Sequence, residues 1–439
     1  MIVAIIILML FVFLGSGIPI AITLATVGGL GIYLISGMDS VLGMFQSVPF
    51  RTVASYLLTT CPMFILMAEF ASTGITQKLF DFMSRRTKRF PAALGIATVF
   101  ASAVFGAICG STTAAAATMS NIAIPEMVKK HYPPKMAVGI VAISGTLAIM
   151  IPPSITMVLY GILSDTSVGK LLIAGIIPGI LSALAYSTVI IFWFKREQKK
   201  RNIPPDEVLM QLSDETKSNI KNAWQEISSI LPVAFLIVLV LGGIYSGIIT
   251  PTEAAAVGAC ATFIIGLLQK ELTLRKIWEA CKRAVKTTAM IFSIMIGARI
   301  FGYFLVFSRT TVAITDFVSS IPYGPVVVMA ALVVFYIILG MFMDGIAILL
   351  LTVPVVAPIV SSLGLDLVWF GVICTKLIEI GLVTPPVGIN VFIASDGAGV
   401  PVEEGFKGSA VMLLGEVVVL LLLLLVPALS LWLPNLSMS

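Results

Sequence analysis

Ser144–Ser154 reads SGTLAIMIPPS, and Glu379–Phe392 reads EIGLVTPPVGINVF. Each sets a glycine and a proline pair in the middle of a mostly apolar stretch of span length, Met136–Ser164 and Leu367–Ala394. Proline lacks the N–H and its ring collides with the preceding turn, so neither stretch can run as one continuous helix. In hydrocarbon, backbone groups freed in this way are tolerated only where protein or a polar cavity satisfies them. Pro152-Pro153 and Pro385-Pro386 stand 233 residues apart, so the break occurs twice.

The pairing extends outward from the breaks. Gly15 and Pro19 in GSGIP answer Gly247 and Pro251 in GIITP at an offset of 232, and Asp81-Phe82 answers Asp316-Phe317 at 235. Pro91 answers Pro325 at 234, and Pro125 answers Pro358 at 233. A near-constant offset across half a chain marks an internal repeat. The first repeat is 1–215 and the second 230–439, with 216–229 ending the polar linker Lys195–Ser229 that carries Pro204-Pro205.

In the first half the order is spans at 1–14, 19–36 and 53–72, an amphipathic segment at 76–89, a hydrophobic hairpin at 92–128, a broken helix at 135–163 and a last span at 171–194. The second half repeats the hairpin at 325–361 and the broken helix at 367–395. A hairpin enters and leaves on one side, so each half crosses five times, and an odd number inverts the second half. The hairpin reading rests on the tips: CGSTTAAA and MFMDGIAIL are too apolar for exposed loops, and each arm of the first hairpin reaches only about 25 Å. The expected fold is an all-α membrane protein, an inverted repeat with two re-entrant hairpins and two broken helices.

Composition agrees. Of 439 residues, 59% are hydrophobic and 11% charged, against roughly 45–50% and 25% for a soluble domain. A water-soluble globule is excluded, and so is a nucleic-acid binder, because a net charge of +5 over so apolar a chain builds no phosphate-tracking surface. The five cysteines form no CxxC pair, and His131 is the only histidine, so no disulfide framework, zinc site or triad is supported. The run Met1–Leu14 lacks the basic start of a signal peptide and is read as a retained span.

The basic residues orient the chain. With the N-terminus outside, 22 of the 27 fall in inside loops, three fall outside (Arg51, Lys170 and Arg309), and Arg299 and Lys376 lie within spans. That is a positive-inside pattern with both termini outside. The segments Gln77–Phe90 and Gln269–Lys286 read as basic amphipathic helices lying in the interface, with Trp224 and Trp278 as anchors.

Two inverted halves, each with a hairpin and a broken helix, bring helix ends together near the midplane, the geometry of secondary transporters. Helix N-termini suit an anionic substrate, and unwound carbonyls with hydroxyls suit a hard cation such as sodium. At the first tip Gly110, Ser111, Thr112 and Thr113 face Ser144-Gly145 and the Met150–Ser154 break; at the second, Asp344-Gly345 faces Gly381–Pro386. A small-residue helix contact is the alternative for GSTTA. Charges inside spans cost roughly 2.5–3.5 kcal/mol each on insertion scales and need partners or a task. Arg299 reads either as a fork for a substrate carboxylate or as a structural partner of Glu69 or Glu379. Lys376 and Glu379 share a helix face and neutralise each other. Asp344 reads as the acidic member of a cation site or as an N-cap. Asn390 reaches either substrate or a neighbouring helix. The substrate-binding candidates are Thr112, Thr113, Ser154, Arg299 and Asn390.

The segments CGSTTAAAATMSNIAIPEM, SGTLAIMIPPS, GMFMDGIAILLLTVP and EIGLVTPPVGINVF resemble the large membrane (M) subunits of tripartite ATP-independent periplasmic (TRAP) transporters, the DctM-like family, over essentially the whole chain. The resemblance implies an elevator-type sodium symporter of the ion-transporter-superfamily architecture in the bacterial inner membrane. It implies a small four-helix membrane subunit and a periplasmic substrate-binding protein as partners. The substrates it implies are organic acids, most often C4-dicarboxylates, with sialic acid, sugar acids and keto acids as variants. The family's sodium sites carry over to Gly110, Ser111, Gly145 and Pro152, and to Gly345, Gly381, Thr384 and Pro385. Since nothing precedes the first span, the small subunit is expected as a separate chain.

The nearest rival is a one-component sodium-coupled dicarboxylate or citrate carrier. An intramembrane enzyme would need a nucleophile and base or a metal cluster, and the spans carry no GxSxG, HExxH or paired aspartates.

Overall fold

The computed structural model describes residues 2–71, 75–87, 90, 92–201, 231–310, 312–314, 316 and 324–437, the side chains of 75–78 and 201 aside. Every regular element among the described residues is a helix. The polar stretch 202–230, with Pro204-Pro205 and Trp224, lies outside them.

Helix boundaries follow local chemistry. Thr250 and Glu253 form a capping box ahead of Pro251–Leu268, where Pro251 sits in the first turn. Asp366 caps Leu367–Gly381 by accepting from Val368 N at 2.7 Å and Trp369 N at 3.0 Å. Ala93–Cys109 ends at Gly110, which takes φ +58°, a left-handed turn that glycine adopts without steric cost.

The two hairpins and two broken helices are present. Ala93–Cys109 and Thr112–Lys129 form the first hairpin, Gly324–Phe342 and Gly345–Ser362 the second. Thr112–Lys129 and Gly345–Ser362 are both 18 residues long and begin 233 positions apart. Pro134–Met150 and Ile155–Ser164 meet at a 44° bend, and Leu367–Gly381 is followed, across the second break, by Ile389–Ala398.

Two elements differ from expectation. Met38–Val53 is a helix where a loop was expected, bent by 55° from Tyr56–Ala71. It starts after Gly37 in the left-handed region, carries Asp39 in its first turn and holds Pro49 near its end. In the second half, Leu274–Phe307 runs as one helix of 34 residues. Gln269–Lys286 is therefore not a separate interfacial helix: no proline interrupts 274–307, so the basic turns continue straight into the span. Trp278 on its outer face is exposed.

Packing divides these helices into two groups. In one, Ile20–Ser36 lies along Leu274–Phe307, and Thr60–Ala71 packs against Pro251–Leu268 and Leu274–Phe307. The approach is backbone to backbone: a Cβ on Gly28 would fall 2.8 Å from Phe301 Cα, and one on Gly297 2.5 Å from the Ala21 carbonyl. In the other group, Pro134–Met150 is packed by both arms of the first hairpin and by Val402–Leu425. Met136–Met150 is buried throughout, as a helix apolar on all sides must be. We call the first group the frame and the second, with both hairpins and both breaks, the core.

Candidate functional site

Each hairpin tip is closed by a capping side chain. Ser111 Oγ accepts from Ala114 N at 3.3 Å and lies 3.1 Å from Thr113 Oγ1. Asp344, 233 positions later, accepts from Ile346 N at 3.1 Å. Each break is also closed locally. Ser154 Oγ accepts from Met157 N at 3.2 Å and donates to the Ile149 carbonyl at 2.6 Å. Thr384 Oγ1 donates to the Ile380 carbonyl at 2.5 Å, and Asn390 N donates to the Leu382 carbonyl at 3.2 Å. Helices thus begin at Thr112, Ile155, Gly345 and Ile389, with first-turn N–H groups met in part by these caps.

A cavity of about 420 Å³ lies between these parts. The first tip contributes Gly110, Ser111 and Thr112, the second Asp344 and Gly345, and the helix ends flanking the breaks Ile149, Ile155, Thr156 and Leu382. The frame closes it with Ile65, Ala68, Glu69, Arg283 and Thr287. Residues far apart in sequence from both halves therefore share one space.

The remaining candidates do not line it. Gly145 packs on the second arm of the first hairpin, where a Cβ would come within 3.2 Å of the Thr112 carbonyl. Gly381 packs on Gly340 of the second hairpin even more closely, at 2.4 Å from its Cα. Thr113 is beside Ser111. Pro152 and Ser154 are buried, whereas Pro385 is exposed. Asn390 is buried and donates Nδ2 to the Ala142 carbonyl at 3.3 Å, tying the second break to the first broken helix. Its Oδ1 and the buried Ser144 Oγ have no hydrogen-bond partner among the described residues. Arg299 is not brought to the cavity. It is exposed on Leu274–Phe307, and the carboxylates considered as its partners are engaged elsewhere, Glu69 with Arg283 and Glu379 with Lys376.

Two charge clusters were not anticipated in full. Arg283 Nε donates to Glu69 Oε2 at 2.6 Å across the frame, at the cavity wall. The signal for it was Glu69 itself, a lone carboxylate in an apolar stretch. Lys376 has a second carboxylate besides Glu379: Nζ lies 2.5 Å from Glu379 Oε2 and 2.6 Å from Glu416 Oε2, all three fully buried. Lys376 Nζ also donates to Ser182 Oγ at 2.7 Å, and Tyr186 donates its hydroxyl to Glu416. This cluster braces the second broken helix against the last spans of both halves. Among the described residues no three His, Cys, Asp or Glu side chains are placed to hold a metal ion.

The chain was compared with known proteins. The family model described as "Tripartite ATP-independent periplasmic transporter, DctM component" matches residues 7–429. The chain is 36% identical to the C4-dicarboxylate TRAP transporter large permease protein DctM of Pseudomonas aeruginosa, over 93% of this chain and 92% of that one. It is 30% identical to the sialic acid TRAP transporter large permease protein SiaM of Vibrio cholerae, covering 88% of each. It is 31% identical to the isethionate TRAP transporter permease protein DctMQ of Oleidesulfovibrio alaskensis, over 96% of this chain and 64% of that one. Among solved structures, the YdaH transporter of Alcanivorax borkumensis, described as having an unusual topology, superposes with a TM-score of 0.61 at 14% identity, over 90% of this chain and 89% of that one, a likeness of fold. The three TRAP relatives are permease proteins and not enzymes, and this chain belongs to the DctM component family of the tripartite ATP-independent periplasmic transporters, as a multi-pass membrane protein.

Proposed function

We propose that this chain is the translocating subunit of a binding-protein-dependent, sodium-driven uptake transporter for a small organic anion. The observation that carries the reading is the single cavity bounded by both hairpin tips, both breaks and the frame. A substrate held there touches parts that belong to the core and parts that belong to the frame, so movement of one group past the other would carry it between the two sides. We take that movement to be an elevator motion of the core.

In this reading one sodium ion is held by Gly110, Ser111, Gly145 and Pro152, and a second by Asp344, Gly345, Gly381, Thr384 and Pro385. The donors fit a monovalent cation: hydroxyls, carbonyls at helix breaks and one carboxylate supply oxygen without the charge density of a divalent site. The orphaned Ser144 Oγ beside Gly145 is a further oxygen in need of a partner. The substrate meets the helix N-termini at Thr112 and Gly345, with Thr113, Ser154 and Asn390 around them.

Relatives are named for C4-dicarboxylates, sialic acid, 2,3-diketo-L-gulonate and isethionate. We place this chain's substrate among such acids, C4-dicarboxylates first. Its partners would be a small four-helix membrane subunit and a periplasmic binding protein, in the inner membrane with both termini on the periplasmic side. The test is uptake into proteoliposomes of labelled succinate, N-acetylneuraminate, 2,3-diketogulonate and isethionate. The full chain is reconstituted with a small TRAP membrane subunit and a periplasmic binding protein for each acid, and with neither, in the presence and absence of a sodium gradient. Sodium-driven uptake that needs both partners is the expected result. Sodium-driven uptake by this chain alone would replace the reading with a one-component carrier.

A further inference from the structure

Among the described residues lining the cavity, one side chain is cationic, and it belongs to the frame: Arg283. It extends from Leu274–Phe307 and is 51% exposed, while Glu69, facing it from Thr60–Ala71, is 22% exposed. Their contact is a single bond, Arg283 Nε to Glu69 Oε2. A guanidinium carries five N–H donors in a planar fork. One is engaged here, and Arg283 makes no other hydrogen bond to a described residue. The two terminal nitrogens, the pair whose spacing matches a carboxylate, are therefore uncommitted at the wall of a cavity large enough for a small acid. The opposite walls offer the helix N-termini at Thr112 and at Gly345, the second already carrying the Asp344 carboxylate.

We propose that Arg283 is the residue that grips the substrate's carboxylate, and that Glu69 is the internal carboxylate it is held by until the substrate arrives. Binding begins on the uncommitted terminal nitrogens while Nε still holds Glu69, and the substrate's carboxylate then takes the guanidinium over from Glu69. The charge stays paired throughout, so the exchange avoids the penalty of stranding a half-buried cation. Glu69 keeps further contacts of its own within the chain. Because the grip sits on the frame and the helix N-termini on the core, substrate would be shared between the two groups in this state and would have to leave Arg283 when the core moves.

This inference rests on the transport reading above, and the experiment separates the two. The readout is the apparent Kd of the acid taken up in the proteoliposome experiment, measured by thermal stabilisation of the purified full chain in sodium chloride. Arg283→Gln is expected to raise Kd about tenfold or more, the worth of a charge-assisted pair. Arg283→Lys should fall between, since it keeps charge and loses the fork. Glu69→Gln should lower Kd or leave it unchanged, because it removes the competitor. A mere brace between frame helices would be broken equally by both neutral substitutions, so Arg283→Gln and Glu69→Gln raising Kd together would overturn the proposal. So would an unchanged Kd in Arg283→Gln, or no stabilisation of the wild type by an acid it transports. Absence of sodium-driven uptake of all four acids by the wild type would overturn the transport reading, and this inference with it.

Discussion

Ser111 and Asp344 stand 233 residues apart and close equivalent hairpin tips, each capping the second arm from its side chain. The geometry is repeated and the charge is not: the first tip offers a hydroxyl and the second a carboxylate, both at the same cavity. If both tips bind sodium, the second holds it with a formal charge. Asp344→Asn keeps a strong capping side chain, so it removes charge while leaving the helix start intact. It is expected to raise the sodium concentration for half-maximal uptake by about tenfold, and Ser111→Ala by about threefold. Sodium titration of uptake at saturating substrate checks both, and equal small shifts would remove Asp344 from the cation site.

Thr384→Val tests the second break independently. The hydroxyl donates to the Ile380 carbonyl and keeps its own lone pairs for another partner. Valine has nearly the same shape, so loss of sodium affinity with unchanged thermal stability is expected, read from the same titration. A fall in stability with unchanged sodium dependence would mark the hydroxyl as a helix-break support only.

The contact between hairpin and broken helix leaves no room at Gly381. An alanine Cβ there would lie 2.4 Å from Gly340 Cα, and at Gly408 1.9 Å from the Lys135 carbonyl. Backbone cannot turn aside as a side chain can, so each substitution should cost about 1–3 kcal/mol, Gly408→Ala the more. Gly302 is the control: a Cβ added there meets nothing within 4 Å, so Gly302→Ala should be neutral or slightly stabilising. Thermal unfolding in detergent separates the three.

How much of this was legible in the sequence follows from where the information lies. Pro152-Pro153 and Pro385-Pro386 act locally and steric exclusion is unconditional, so the broken helices and the hairpins they pair with could be placed to within three residues. Met38–Val53 was missed because Arg51 read as part of an outside loop, and Pro49, which lacks an N–H and crowds the preceding turn, gives no local sign that the helix runs on to Val53. Leu274–Phe307 was split because its basic first turns look interfacial, and the absence of any breaker after them was the stronger signal. Arg283 and Glu69 meet across 214 positions, and Lys376 and Glu416 across 40, on different helices. No local spacing encodes such pairs. What the sequence does carry is the requirement that each lone charge in a span find a partner.

The buried cluster of Lys376, Glu379 and Glu416 gives a sharp stability test. One ammonium faces two carboxylates with no exposure to solvent. Removing one partner of a buried pair typically costs 3–5 kcal/mol, because the charge left behind is uncompensated. Lys376→Met should therefore yield an unstable or aggregated chain. Adding Glu379→Gln and Glu416→Gln to Lys376→Met removes the stranded charges and should recover a monodisperse protein, seen by size-exclusion chromatography. Failure of the triple variant while Lys376→Met alone is stable would show that the cluster is not held by charge.

Arg299 provides the counterpart to Arg283, sixteen positions further along the same helix. Its neighbours Gly297, Ala298 and Ile300 face inward and are buried, which turns Arg299 outward and away from the cavity. An exposed guanidinium in an apolar span contributes an insertion cost and, among the described residues, no ion pair to offset it. Arg299→Gln is expected to leave the acid's apparent Kd and the half-maximal sodium concentration within about twofold, as surface substitutions do. Arg299→Leu should raise the Tm of the purified chain in detergent. Loss of substrate binding in Arg299→Gln with sodium binding intact would return the carboxylate fork to Arg299 and remove it from Arg283.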